Sequence, residues 1–362
     1  MSNEPLSSAG NRLLSLDVYR GFTMFFMASA GFGFAVLADN PGWQWLACQV
    51  EHVEWAGFVV WDLIQPSFIF IVGAAMPFAF AARSARGQSR SQQFVHVLKR
   101  SLHLLLIGCV IVAIHKNTIL IDLTTVLQQI AIAYFFAFFV LGRGTKVQVA
   151  AALGILLVHT LCFVLWPGVG PGGPWAKNVN FASAVEQWVF GRMDNGGYTA
   201  FNAISSIATV IFGILAGEML RRDIPAARKV RNLFLAGLVC LAAGAALHPF
   251  IPVVKRIWTP SWAIFSAGWA YLLLALFYWL IDVKNIRRWS FIFMVIGMNS
   301  ISIYVFFQML RSNINHWLWT FTGPMLGPLG DPGLILQNWL VLAVHVYVTY
   351  WLYKRKIFLK VG

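Results

Sequence analysis

The chain has 362 residues, of which 59% are hydrophobic, 15% aromatic and only 11% charged, with a mean hydropathy of +0.70. A soluble protein carries about a quarter charged residues, so soluble enzymes, nucleic-acid-binding modules, disordered scaffolds and disulfide-stapled domains are excluded. The net charge of +14 sits in short basic clusters between apolar runs and reads as membrane topology, not as a nucleic-acid surface.

About 30 Å of hydrocarbon needs roughly 20 apolar residues in a helix. In chain order the runs are Gly21–Ala38, Leu63–Ala82, Leu102–His115, Leu123–Gly142, Val147–Trp166, Ala200–Leu220, Asn232–Pro249, Trp258–Ile281, Ser290–Leu310 and Gly333–Tyr353. The fold class expected is therefore all-α, a bundle of about ten transmembrane helices. Residues 1–11 form a cytoplasmic tail and 12–362 a single membrane domain. The first run is preceded by Arg12 and Arg20 and is too long for a signal core, so it is read as a membrane helix. The third is the shortest, bounded by Arg100 and Lys116.

Ten spans put both termini on one side. Of the 27 Lys and Arg, only Lys116, Lys177, Arg192, Lys255, Arg256 and Arg311 fall on the other side. The positive-inside bias then places both termini in the cytoplasm. The opposite loops, Pro167–Thr199 and Ser312–Pro332, are rich in Gly and Pro and are read as turns without helices. Cys48, Cys109, Cys162 and Cys240 are scattered and form neither a disulfide framework nor a metal motif. No His-Glu-x-x-His spacing occurs, and no metal is expected.

Ionisable groups in or at the lip of a membrane are functional candidates by default. Glu51-His52-Val53-Glu54-Trp55 precedes the second span and Asp62 opens it. Histidine titrates near neutrality and can act as general base or acyl carrier; carboxylates beside it would fix one tautomer. The ordinary structural alternative is a solvated interfacial histidine. Ten residues of unbroken helix would hold His52 and Asp62 about 15 Å apart, so they meet only if the chain breaks, with Gly57 the natural point. Asp17 and Arg20 read as a helix-end ion pair. Gly213–Gly217 is a GxxxG packing face. Lys255-Arg256 is either an interfacial anchor or a polar-substrate contact. Asn299, inside the ninth run, needs a partner or a cavity.

Several segments resemble a known family. Arg12-Leu13-Leu14-Ser15-Leu16-Asp17-Val18-Tyr19-Arg20-Gly21 is similar to its R-x-x-S-x-D-x-x-R-G opening. Glu51–Gly57 with Trp61–Pro66 resembles its H-x-x-W-N-G and D-L-x-F-P segments. Val126-Leu127-Gln128-Gln129-Ile130-Ala131, Ile251–Thr259 and Gly297-Met298-Asn299-Ser300 follow in order. The family is that of the transmembrane acetyltransferases, which includes the heparan-alpha-glucosaminide N-acetyltransferases and NagX-like bacterial membrane proteins. The resemblance implies transfer of acetyl from cytosolic acetyl-CoA to an amino sugar on the far side, without a metal. Its catalytic histidine falls on His52, with Asp62 beside it. Glu54, Trp55, Gln128, Lys255, Trp258 and Asn299 are the implied substrate- or cofactor-binding positions. A bacterial inner membrane is the expected location; lipid and a small sugar acceptor are the expected partners, nucleic acid is not, and a homodimer stays open. The family's asparagines and arginine are replaced at Ala56, Val254 and Gln129. A sugar or small-solute permease and an inactive member of the family are the alternatives.

Overall fold

The computed structural model describes residues 13–117 and 123–359; the tail 1–11 and Arg12 lie outside them. The described chain is all-α, with no strand among the described residues and a single isolated bridge between Ala56 and Val254. Seven helices are long and apolar enough to span a bilayer, or nine when two bent pairs are each counted as one. The shorter apolar helix α5 adds a tenth candidate, so each of the ten runs corresponds to a helical unit. This is a multi-pass membrane protein.

The first span is α1 (Leu14–Ala28) followed by a 3-10 turn over Ala30–Leu37, bent by 41°. Gly31, Phe32 and Gly33 all take positive φ there, which breaks the hydrogen-bond ladder. A short α2 (Gln44–Val50) follows outside the bundle. The second span is α3 (Ile64–Ala85) with a 3-10 entry over Val60–Leu63. The third, α4 (Arg90–Lys116), starts twelve residues before the apolar run because Ser89 caps it. The Ser89 hydroxyl accepts from Gln92 N at 3.3 Å, and Gln92 Oε1 accepts from Ser89 N at 2.9 Å, a capping box.

The fourth run forms only α5 (Val126–Ala137) before dissolving into turns. Arg90 reaches across to the freed carbonyl of Phe138 at 2.7 Å, so the early helix end is satisfied. Then come α6 (Thr145–Val164), α8 (Asn202–Arg221), α9 (Ala226–Leu247) and α10 (Pro260–Phe277). The ninth span is split into α11 (Phe291–Met298) and α12 (Ser300–Leu326), bent by 73° at Asn299. The last is α13 (Asp331–Lys354).

Two loop expectations are corrected. Pro167–Thr199 contains α7 (Phe181–Phe190), started by Asn180 accepting from Ser183 N at 3.0 Å and ended by left-handed Gly191. Local caps override the surrounding Gly and Pro. Ser312–Pro332 is largely the continuation of α12; its Pro324 withdraws one N–H from the helix, which ends two residues later at Leu326.

The centre of the bundle is the crossing of α3 and α8. A Cβ on Gly213 would meet Phe70 O at 2.0 Å, one on Gly217 Ala74 O at 2.2 Å, and one on Gly73 Val210 O at 2.0 Å. The GxxxG face thus brings two backbones into contact, as small residues allow. α3 and α8 are the most enclosed spans, whereas α9 is largely peripheral.

Candidate active site

Three loops on the same side of the bundle build the site. The segment after α2 is non-helical from Glu51 to Val59, with Gly57 at φ +113°, a conformation open to glycine. It docks on the loop between α9 and α10 through the Ala56–Val254 bridge and a Gly57 N–H donating to Val253 O at 2.8 Å. Trp55 Nε1 donates to Trp175 O at 2.8 Å in the loop between α6 and α8. Arg256 ties the same three loops together: it donates to Gly196 O and to Val53 O, and lies over the Tyr198 ring.

This docking closes the gap that an unbroken helix would leave. His52 Nδ1 sits 2.6 Å from Asp62 Oδ1, and Lys255 Nζ lies 3.2 Å from the same oxygen and 3.1 Å from Nδ1. Asp62 Oδ2 accepts from Val59 N at 3.3 Å. Asp62 and Lys255 are buried, at 1% and 5% exposed side chain, while His52 is 39% exposed. An ionised Asp62 can only accept, so the proton of a neutral His52 belongs on Nδ1. Nε2 is then left as a lone pair, the arrangement a general base or nucleophile requires. Lys255 bonds to the carboxylate, not to the protonated nitrogen. Burial pulls its ammonium down to about 8, with Asp62 opposing that shift. The phenol of Tyr198 is raised, mainly by burial, with Arg256 opposing and Asp62 adding; its proximity to this charge cluster was not legible in the sequence.

On the other side of the bundle lies a cavity of about 290 Å³. It runs along one face of α3 from Phe68 through Val72, Met76 and Ala79 to Arg83, about 22 Å at 1.5 Å per residue. Its polar end is lined by Arg20, Arg83 and Arg100. Arg83 contacts His96 at 2.6 Å, Arg20 pairs with Asp17 at 3.6 Å, and Arg100 lies over Tyr134 with a buried Nε that has no partner. Three guanidinium groups around one space, one with an unmet donor, suit a polyanion such as a phosphate ester. These arginines are functional candidates that a topology count treats only as helix-end charges.

The cavity lining ends at Phe68, about 9 Å along the helix from Asp62. Gln65, on the same face of α3, donates to Gln129 Oε1 at 2.5 Å, and Gln129 in turn donates to Ser206. This amide relay lies between the two ends of the site.

Other residues singled out in the sequence are engaged elsewhere. Glu54 is solvent-exposed and pairs with Lys177 at 3.5 Å, so it is Asp62, not a flanking glutamate, that contacts the imidazole. Trp55 braces the loops. Gln128 Oε1 accepts from Thr125 N at 3.1 Å and from Thr125 Oγ1 at 2.7 Å, which caps α5. Trp258 is fully buried, its Nε1 donating to Thr209 Oγ1 at 3.1 Å. Asn299 does not join His52. At the break in the ninth span it donates to Ile357 O at 3.1 Å and accepts from Leu359 N at 3.2 Å, so its amide is spent on holding the C-terminal tail. Among the described residues no group of His, Cys, Asp and Glu has metal-holding geometry.

Residues 12–170 match the family model described as heparan-alpha-glucosaminide N-acetyltransferase, catalytic. That stretch holds His52, Asp62 and all three cavity arginines. The heparan-alpha-glucosaminide N-acetyltransferases of Mus musculus and Homo sapiens are 25% and 24% identical over 426 and 423 residues, covering 99% and 98% of this chain. They cover 62% and 61% of the relatives, so the chain spans about three fifths of the length of the curated proteins it matches. The chain is thus similar to this transmembrane acetyltransferase family along nearly its whole length.

Proposed function

We propose that this relative of the heparan-alpha-glucosaminide N-acetyltransferases moves an acetyl group from cytosolic acetyl-CoA to an amino sugar on the opposite face of the membrane. The observation that carries the reading is one helix, α3, with His52–Asp62 at its start and a tri-arginine cavity along its other end. The arginines suit the phosphates of a nucleotide-bearing donor. The asymmetry of basic residues supports a cytoplasmic cavity mouth and an outer position for His52.

In the reaction, the sugar amine attacks the thioester carbonyl while His52 Nε2 accepts the amine's proton. The C–S bond breaks, the new C–N amide forms, and the imidazolium returns the proton to the departing thiolate. Asp62 holds the ring's orientation and stabilises its cationic form, and Lys255 keeps the carboxylate ionised and in place. Holding both reactants in one water-poor site supplies much of the acceleration. For the thioester to reach His52, the Gln65–Gln129 contact has to part.

The deciding experiment incubates purified protein with acetyl-CoA and glucosamine and follows free CoA and N-acetylated sugar. Wild-type protein is expected to release both in equal amounts and His52→Ala neither. Unchanged turnover in that variant contradicts the mechanism. Accumulation of labelled glucosamine in proteoliposomes without acetylation points to a permease instead.

A further inference from the structure

Arg20, Arg83 and Arg100, which line the polar end of the cavity along α3, are held in different ways. Arg20 lies beside the carboxylate of Asp17 at 3.6 Å, which offsets part of its charge. Arg100 lies over the ring of Tyr134, 5.0 Å from the centroid. Arg83 instead meets an imidazole, its Nη2 standing 2.6 Å from His96 Nε2.

The hairpin of α3 and α4 builds that contact. Gly87 turns the chain at φ +77° and Ser89 caps α4. Gln93 is buried, and its Nε2 donates to Ser84 Oγ at 2.9 Å and to Gln88 O at 3.3 Å, so the two helices are pinned next to Arg83. His96 follows Gln93 by three residues and Arg100 follows His96 by four. Residues so spaced share a helix face, and this face of α4 brings both His96 and Arg100 towards α3.

A guanidinium has donors only, so His96 Nε2 must accept, which leaves the ring neutral with its proton on Nδ1. A protonated ring would have no lone pair to offer and would set like charges together. The consequence is electrostatic. A carboxylate in this place would orient Arg83 equally well but would cancel its charge, whereas the imidazole fixes the orientation and leaves the charge whole. Among the described residues no protein group accepts from Arg83 Nε or Nη1, and neither nitrogen is buried. Arg83 therefore joins the cavity lining with both donors and charge left for an anion.

We propose that His96 is a positioning residue of the donor site: its lone pair aims Arg83 at a phosphate of the donor and spares the positive charge that binds it. The inference rests on reading the arginine cavity as the acetyl-CoA site.

The test measures CoA affinity by titration calorimetry on the full-length protein in detergent, for wild type, His96→Leu, His96→Gln and His96→Glu, at low and high salt. His96→Leu removes the acceptor and is expected to bind CoA about tenfold more weakly, the worth of one charge-assisted hydrogen bond. His96→Gln offers an amide oxygen in its place and is expected to stay within about threefold of wild type. His96→Glu also accepts from Arg83 but cancels its charge. It is expected to weaken CoA binding by about tenfold or more and to flatten the salt dependence. The KM for acetyl-CoA should follow the same order, with kcat little changed. Equal affinity in all four proteins, Gln falling with Leu, or Glu binding as tightly as Gln overturns the proposal. Wild-type protein that binds no CoA removes the donor reading itself, and this inference with it. Gln and Glu have nearly the same shape, so their comparison decides the question even where the Leu variant fails to fold.

Discussion

At the scale of single residues, the proposed chemistry turns on one imidazole whose two nitrogens are made different by a carboxylate. Asp62→Asn preserves the shape but can offer its amide N–H to Nδ1, which would shift the ring to the wrong tautomer. Turnover is expected to fall by about 10²–10⁴, the range of a general base, with little change in the KM for acetyl-CoA; coupled CoA-release assays measure both. Arg100→Gln is expected to do the reverse, raising the KM for acetyl-CoA by about tenfold or more for loss of a charge-assisted bond and leaving kcat nearly intact. Lys255 gives a pH signature. Its folded-state value of about 8 lies below the ordinary 10.5, so between these limits the unfolded chain binds the proton that the folded one has released. Stability contributed at this site therefore rises as pH increases from about 8 to 10.5. The apparent Tm of wild type should gain on that of Lys255→Met across this window; parallel curves would refute the assignment.

At the scale of elements, α3 is the spine that joins both ends of the site, and its fit against α8 depends on missing side chains. Because a Cβ at Gly213 would stand 2.0 Å from Phe70 O, Gly213→Leu must push the helices apart. A loss of about 1–3 kcal/mol is expected from overpacking, read as a lower apparent Tm together with weaker activity. The Gln65–Gln129 relay is the other element-level prediction. Gln65→Ala removes the amide between the cavity and Asp62, and is expected to change kcat for acetyl transfer more than it changes the KM for acetyl-CoA. The apolar run read from Trp258 begins within two residues of the start of α10 at Pro260, where the structure shows Thr259 as the cap, its side chain accepting from Trp262 N at 3.4 Å. Boundaries were not legible at α4, where about three turns ahead of the apolar run, carrying Arg90, Lys99 and Arg100, still belong to the helix, nor in α7 and the end of α12, where composition pointed to turns.

At the scale of the whole molecule, the orientation can be read with natural and introduced thiols. Cys48 is exposed and lies on the side assigned as outer; an impermeant maleimide should label it in intact cells. Arg228→Cys in a Cys48→Ala background should label only after permeabilisation, and the opposite pattern would invert the proposed direction of transfer. Where the helical units lie was legible in the sequence, because a long apolar run in hydrocarbon has to satisfy its backbone within itself, whichever helix is its neighbour. How far each helix persists was not, since the fourth run keeps only Val126–Ala137 and the first and ninth are bent. Local resemblance also marked His52, and the need for a chain break marked its meeting with Asp62. Which charge joins that pair was decided only in three dimensions. Lys255 is about two hundred residues away from both, and it reaches them because two loops bond edge to edge through Ala56 and Val254. The gathering of Arg20, Arg83 and Arg100 around one cavity, and the removal of Asn299 to the C-terminal tail, belong to the same category. Solvent preference acts on each segment separately and can be read one segment at a time, whereas a site is a property of which segments pack together.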